Sequence, residues 1–364
     1  MSSFRQWGCG GQGAGTDYHR EVTIAVVGAG IIGCAVAFEL VQRGFRVEVF
    51  DPRHVGGGAT HATAGVLAPF IEAPTPGPLH ELMIESFKLY DHFVAQVQET
   101  SGVAVEYRRC GTFELAETPG DGERLRAGAT LARAAGFEAE PAELHLVDGA
   151  AATAQGLLIP SQGYVRVEQL LAAMRHGIEQ RGARFNEGEG VQNVEPSPTH
   201  VILETETRRF SCEAVIVAAG SWSDSLGGET IGVRPVRGQL VRIGWPRSPL
   251  RHVLWTHDCY VVPWMDGTHL VGATVEEVGF DERVTVAGVA GLLRAVARVL
   301  PGAADATFLD ARSGLRPASP DGLPVIRPSR RTSRIIYATG HYRNGILLAP
   351  LTARRVADLV QAIP

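Results

Sequence analysis

The stretch from Val22 to Asp51, VTIAVVGAGIIGCAVAFELVQRGFRVEVFD, constrains the fold more tightly than any other part of the chain. Thr23 to Val27 is an apolar, largely β-branched run of the kind that forms a fully buried parallel strand. Gly28, Gly30 and Gly33 follow at once in the spacing GxGxxG, which lets the chain turn sharply, lets backbone N–H groups approach a diphosphate and lets the next helix lie close to the sheet. That helix is predicted from Ile31 to about Arg43, with Ile32, Val36 and Leu40 facing the sheet and Gly44 at the left-handed stop. Arg46 to Phe50 reads as the second strand, and Asp51 ends it. A carboxylate there accepts hydrogen bonds from a ribose hydroxyl and repels a 2′-phosphate, so the motif calls for FAD or NAD rather than NADP.

At 364 residues the chain can bury one large or two medium cores, and its 45% hydrophobic and 20% charged residues are those of an ordinary globular protein. A formal charge of -5 argues against a nucleic-acid partner. No apolar run approaches the ~20 residues of a membrane-crossing helix. The first 20 residues are glycine-rich and polar without the apolar centre of a secretory signal, and are expected to be a disordered leader. Five scattered cysteines (Cys9, Cys34, Cys110, Cys212 and Cys259) form no CxxC pair, which fits a reducing cytoplasm and suggests neither disulfides nor zinc. Cys34 is expected to pack inside the first helix. Among twelve histidines there is no HExxH, and there is no GxSxG elbow, so metal hydrolysis and serine chemistry are poor readings.

Further along, Gly56 to Pro69 is almost free of bulky side chains, so its backbone can run against a flat ligand or form a surface loop. Helices are predicted at 79–100, 122–136, 168–181 and 286–300, and strands within 103–115, then at 183–186, 190–195, 200–205 and 208–212. Residues 144–160 read as a connection. Ala214 to Gly220 and Arg334 to Gly340 are two further buried parallel strands, each ending in a glycine, where an α/β sheet presents its ligands. The second feeds the turn 341–345 and a last helix. Strands at 239–244, 259–263, 269–273 and 307–312 suggest an antiparallel sheet. The expected architecture is α/β plus α+β: a discontinuous Rossmann-like FAD-binding domain (21–100, 160–230 and 311–364) and an antiparallel-sheet substrate domain (101–159 and 231–310).

Taken together, VVGAGIIG, ATHATAGVLAP, VIVAAGSWS, RPVRGQ, CYVVP, LVGATVEEVGFD, SGLRPASPDGLPVI and ATGHYRNGILLAPLTA resemble the FAD-dependent D-amino-acid oxidase family. They are most similar to its branch that oxidises glycine for thiamine biosynthesis. The resemblance implies FAD as cofactor, with the adenosine and diphosphate at Gly28, Gly30, Ile31, Ile32, Gly33, Asp51 and Pro52, and with Ala59 and Thr60 at the phosphates. It implies Ala64, Gly65 and Val66 along the isoalloxazine, Val191 at the adenine, and Ala219 and Gly220 at the end of their strand. His341, Tyr342, Arg343, Asn344, Gly345, Ile346 and Leu347 would wrap the flavin's pyrimidine end.

Arg316 is implied to bind a substrate carboxylate, since a guanidinium matches that group bidentately. Tyr260 is implied to help orient it, and Arg343 either adds positive charge near the site or braces the turn. Glu72 is a second acidic candidate, at the pocket mouth, ranked no higher than a solvated glutamate, and His61 and His257 read as loop or core residues. The sequence departs from the pattern at Asp258, Val66, Val275 and Trp264, where the family commonly carries histidine, methionine, methionine and arginine. The implied reaction is hydride transfer from the amine carbon to flavin N5, with molecular oxygen as acceptor and hydrogen peroxide as product. Glycine, sarcosine or a small D-amino acid would be substrate, and a homo-oligomer is compatible. Two other readings stay open: a dehydrogenase of the same fold that passes electrons to a quinone or carrier, and a catalytically silent flavoprotein subunit.

Overall fold

The computed structural model describes residues 23–145 and 153–363; the expected leader lies outside them. The strand Thr23–Val27 sits inside a six-stranded sheet. On one side it pairs in parallel with Arg46–Asp51, which pairs with Arg184–Glu187. On the other it pairs in parallel with Ala214–Val217, which pairs with Ile335–Thr339. Val325–Pro328 closes that edge in the antiparallel sense. The near-unbroken apolar runs of the central strands follow from burial on both faces.

One face is covered by the helices Ile31–Gln42, Pro78–Ser101, Val167–Gln180 and Gly345–Gln361, which share a single buried core. The other face packs on the antiparallel strands Val191–Pro196, Val201–Thr205 and Arg209–Cys212. The last helix carries Pro350 in its interior. Proline has no N–H to offer the carbonyl four residues back, and here the hydroxyl of Tyr90 donates to that carbonyl, Ile346, at 3.1 Å. Ser86 does the same for Leu347 at 2.6 Å, so the long Pro78–Ser101 helix makes good the break.

An eight-stranded sheet forms the second half, in the order Thr307–Ala318, Arg234–Gly244, Thr268–Gly272, Tyr260–Pro263, Val253–Trp255, Thr112–Leu115, Thr153–Ile159 and Glu140–His145. Its neighbours are antiparallel except for the Val253–Trp255 and Thr112–Leu115 pair. The helix Val286–Val299 packs against it.

Two expectations are corrected here. Residues 144–160 are no connection: the described part supplies the strand Thr153–Ile159 and the last two residues of Glu140–His145, the two strands at one end of this sheet. Thr307–Ala318 also runs six residues beyond the predicted 307–312, so residues 311–318 pair in this sheet although they were assigned to the nucleotide half. Pro317, which reads as a strand breaker, is tolerated because the strand is at the sheet edge, where a missing N–H costs nothing. The strands Val253–Trp255 and Val325–Pro328 were missed, being too short to show an alternation.

Gly33 explains how closely the first helix approaches the sheet, since a Cβ there would overlap the carbonyl oxygen of Gly28 and crowd Val26. Gly33→Ala is expected to destabilise the fold by about 1–3 kcal/mol, the usual cost of overpacking. The measurement is the thermal unfolding midpoint, and an unchanged midpoint contradicts the close approach.

Candidate functional site

The parallel strands end together, and the turns that follow them line a cavity of about 330 Å³. Gly28, at φ +108°, reverses the chain there; its N–H donates to the Phe50 carbonyl at 2.8 Å, and a Cβ would collide with the Ala218 carbonyl group. The helix beginning at Ile31 has no side-chain cap on its own N-cap residue, and Thr60, 29 residues on, accepts from the Ile31 N–H at 3.0 Å. Ile31 and Ile32 line the cavity, as does the start of the last helix at Gly345 and Ile346. Two helix N-termini, each with backbone N–H groups lacking intrahelical acceptors, therefore meet one cavity.

Asp51 also lines it. Its carboxylate accepts from the N–H of Ala29 at 2.7 Å and of Arg53 at 2.8 Å. Burial pushes its carboxyl above the usual range, and these two N–H donors pull it back. Each carboxylate oxygen keeps a lone pair for a ligand hydroxyl.

At the other end the turn 341–344 crosses under the last helix. Tyr342 adopts φ +50°, unusual for a side chain of that size, and its N–H donates to the Pro317 carbonyl at 2.9 Å. His341 is buried, with Nε2 on the Thr352 hydroxyl at 2.9 Å and Nδ1 without a partner. Burial pushes its pKa down to about 3, so the ring is neutral.

Beside this turn lies a compact charged group. Arg316, on the edge strand, is half-buried, and its Nη1 donates to the carbonyls of Thr274 at 2.9 Å and Arg237 at 3.5 Å. Among the described residues no carboxylate pairs with it. Gly238 leaves the space for its guanidinium, which a Cβ at 238 would strike, and Gly272 does the same for the Tyr260 ring. Tyr260 stacks on Trp255 with ring centroids 5.1 Å apart, and the Arg343 guanidinium lies 5.8 Å from the Trp255 ring. Arg343 pairs with Glu72 at 3.2 Å.

Glu72 is corrected from a solvated residue: its side chain is 15% exposed, and burial raises its carboxyl pKa against the pull of Arg343 and Arg316. Burial likewise raises the Tyr260 pKa and lowers that of Arg316.

Of the residues singled out in the sequence, Gly28, Gly30, Ile31, Ile32, Asp51, Pro52, Ala59, Thr60, Val191, Ala219, Gly220, Arg316, His341, Tyr342, Arg343, Gly345 and Ile346 line the cavity. Gly33, Ala64, Gly65, Val66, Asn344, Leu347 and Tyr260 do not. Gly33 packs on the Gly28 carbonyl, and Gly65, at φ +72°, faces the Val165 carbonyl. Ala64 is buried beside Tyr164 and Trp264, Val66 pairs with Tyr164 in a short strand, and Leu347 and Asn344 are buried in the last helix and at its N-cap. Asp258 forms an ion pair with Arg298 at 2.7 Å, and Trp264 stacks under Arg166 at 4.3 Å. His257 pairs with Asp121, and His61 lies on the Gly58 carbonyl. Arg53 and Trp222 line the cavity and were missed; the signal for each was its place just after a strand and ligand turn.

A family model described as FAD dependent oxidoreductase matches residues 23–359. The glycine oxidase of Geobacillus kaustophilus is 34% identical over 348 residues, covering 93% of this chain and 92% of that protein. The crystal structure of glycine oxidase from Geobacillus kaustophilus superposes with a TM-score of 0.87 at 33% identity, over 94% of this chain and 96% of that one. The hydrogen cyanide synthase subunit HcnC of Pseudomonas aeruginosa is 28% identical, over 94% of this chain and 93% of its own.

Gly238→Ala should displace the Arg316 guanidinium and raise KM for substrate about tenfold, the effect of a misplaced charged hydrogen bond, with bound flavin retained. Steady-state kinetics checks this, and an unchanged KM counts against it. His341 gives a pH dependence. The unfolded ring, near 6.5, takes up a proton that the folded ring refuses until about 3, so stability is lost as pH falls from 6.5 toward 3. Thermal unfolding between pH 7 and 4.5 should show that loss, and His341→Gln should flatten it by ~1.4 kcal/mol per pH unit at most.

Proposed function

This chain belongs to the FAD-dependent oxidoreductase family, and on that premise we propose that it oxidises glycine or another small amino acid or amine, such as sarcosine or a small D-amino acid, with molecular oxygen. Water hydrolyses the imine, so the products are the 2-oxo acid, ammonia (methylamine where sarcosine is the substrate) and hydrogen peroxide. The carrying observation is Arg316, a half-buried cation at the cavity wall with no carboxylate partner among the described residues. A guanidinium left so is a site for an anion, and the α-carboxylate of an amino acid suits its two-pronged geometry.

The residues suit FAD. Gly28 and Gly30 line the cavity at a turn packed so closely on Ala218 and Thr60 that side chains there would be crowded, and the N-termini at Ile31 and Gly345 are electropositive. The unpartnered Nδ1 of His341 is a buried polar atom awaiting a ligand. On this reading Asp51 takes the ribose, Thr60 and Ala59 adjoin the phosphates, and the 341–346 turn faces the flavin. When bound, FAD supplies the two-electron acceptor that oxygen then reoxidises.

The chain's own contribution is placement. Arg316 holds the carboxylate. Tyr260, whose raised pKa keeps its hydroxyl protonated, donates to the same group. Trp255 and Tyr260, stacked together outside the cavity lining, flank the Arg343 guanidinium. Pairing with Glu72 keeps Arg343 from competing for the carboxylate. We place the enzyme in the cytoplasm; among the described residues no helix is long and apolar enough to cross a membrane.

The test is an anaerobic panel of small amino acids and amines, followed by flavin bleaching and then by peroxide on admission of air. Bleaching with peroxide release supports an oxidase. Bleaching without peroxide indicates transfer to another carrier, and no bleaching by any amine contradicts the assignment. Arg316→Ala should retain FAD while KM rises ~100-fold, on the order of 3 kcal/mol for loss of a buried charge contact. Unchanged kinetics would remove Arg316 from the site.

A further inference from the structure

One wall of the cofactor cavity is built from both halves of the molecule. Arg53, two residues beyond Asp51, lines the cavity and reaches across to Glu282, 229 residues away. The pair is bidentate: Nη1 meets Oε1 and Nη2 meets Oε2, each at 2.8 Å, with about a third of each side chain exposed. The same guanidinium lies 4.7 Å from the ring of Trp222, which also lines the cavity. Trp222 in turn meets Phe280 with ring centroids 5.5 Å apart.

Glu282 and Phe280 belong to the loop between the strand Thr268–Gly272 and the helix Val286–Val299. Arg237 fastens that loop to its own half, pairing with Glu276 and with Asp281 at 2.9 Å. Its contacts with the nucleotide half run through Glu282 and Phe280, and its Val275, Val278, Phe280 and Val284 are largely exposed. A loop so thinly packed stays in place through a few specific contacts. A second cavity lies on the outer side of the pair, lined by Arg53, Glu282, His61, Val284 and Arg312, so Arg53 lines both spaces.

We propose that the 276–285 loop is a latch on the bound dinucleotide, closed by the Arg53–Glu282 ion pair and the Trp222–Phe280 contact, and that it sets the rate at which FAD leaves. The inference rests on this cavity being the FAD site. Opening the pair joins the two cavities that Arg53 lines and frees Arg53, a cation on the cofactor-cavity wall beside Trp222. Glu282 acts through Arg53 and is a positioning residue.

The test follows release of FAD from diluted holoenzyme by recovery of flavin fluorescence. Glu282→Gln should speed release roughly fivefold, the ratio expected for one half-exposed ion pair. Salt should speed release more from the wild type than from E282Q, because contacts with the diphosphate are screened in both and only the wild type has the Arg53–Glu282 pair to screen as well. Glu282→Asp should restore part of both the slow release and its salt dependence, and Phe280→Ala should speed release through the second contact. Equal release from wild type and E282Q, or equal salt dependence in the two, overturns the latch while leaving the cofactor site intact. A wild-type protein that binds no FAD overturns the latch and the site together.

Discussion

Two helices point their positive ends into one cavity, and the rest of the arrangement follows from that convergence. The helix after the first strand and the helix after the strand Ile335–Thr339 start at the same edge of one parallel sheet. A βαβ crossover carries its chain to that edge in a fixed hand, so strands with ligand turns are brought together there by topology. Backbone N–H groups without intrahelical acceptors and the dipoles behind them favour negative charge at that place. A cofactor with two phosphates and a ring system that takes up negative charge on reduction suits such a cavity.

The second half supplies what the nucleotide half lacks, a rigid platform for a cation. Arg316 and Tyr260 stand on neighbouring parts of the eight-stranded sheet and lie over the glycines Gly238 and Gly272, whose missing side chains leave the sheet surface flat. Sheet strands fix side chains more closely than loops do, which is what a reaction governed by placement requires. Glu72 and Arg343 close the group with a charge pair of their own. The result is an excess positive charge at Arg316 and a balanced one beside it.

Much of this was legible in the chain. The first strand, glycine turn, helix and Asp51 fall within some thirty consecutive residues, so local pattern determined them. Arg316 was reached only through resemblance, because nothing around LRP distinguishes a clamp from a surface arginine. Gly238 and Gly272 carried no signal, since the reason for each is a side chain on another strand. Glu72 was misread because its partner, Arg343, is 271 residues away. The strands at 140–145 and 153–159 were lost for a related reason: their alternation is weak, and it is the pairing of 153–159 with Thr112–Leu115 on one side and with 140–145 on the other, rather than composition, that makes them strands.

The central claim is that a carboxylate bound at Arg316 lies against the flavin. Glycolate, which carries the carboxylate of glycine without its amine, tests it directly by titration into the oxidised flavoprotein. The account predicts a saturable change in the flavin absorption spectrum that substrate competes away. A spectrum that stays flat to saturating glycolate would contradict it.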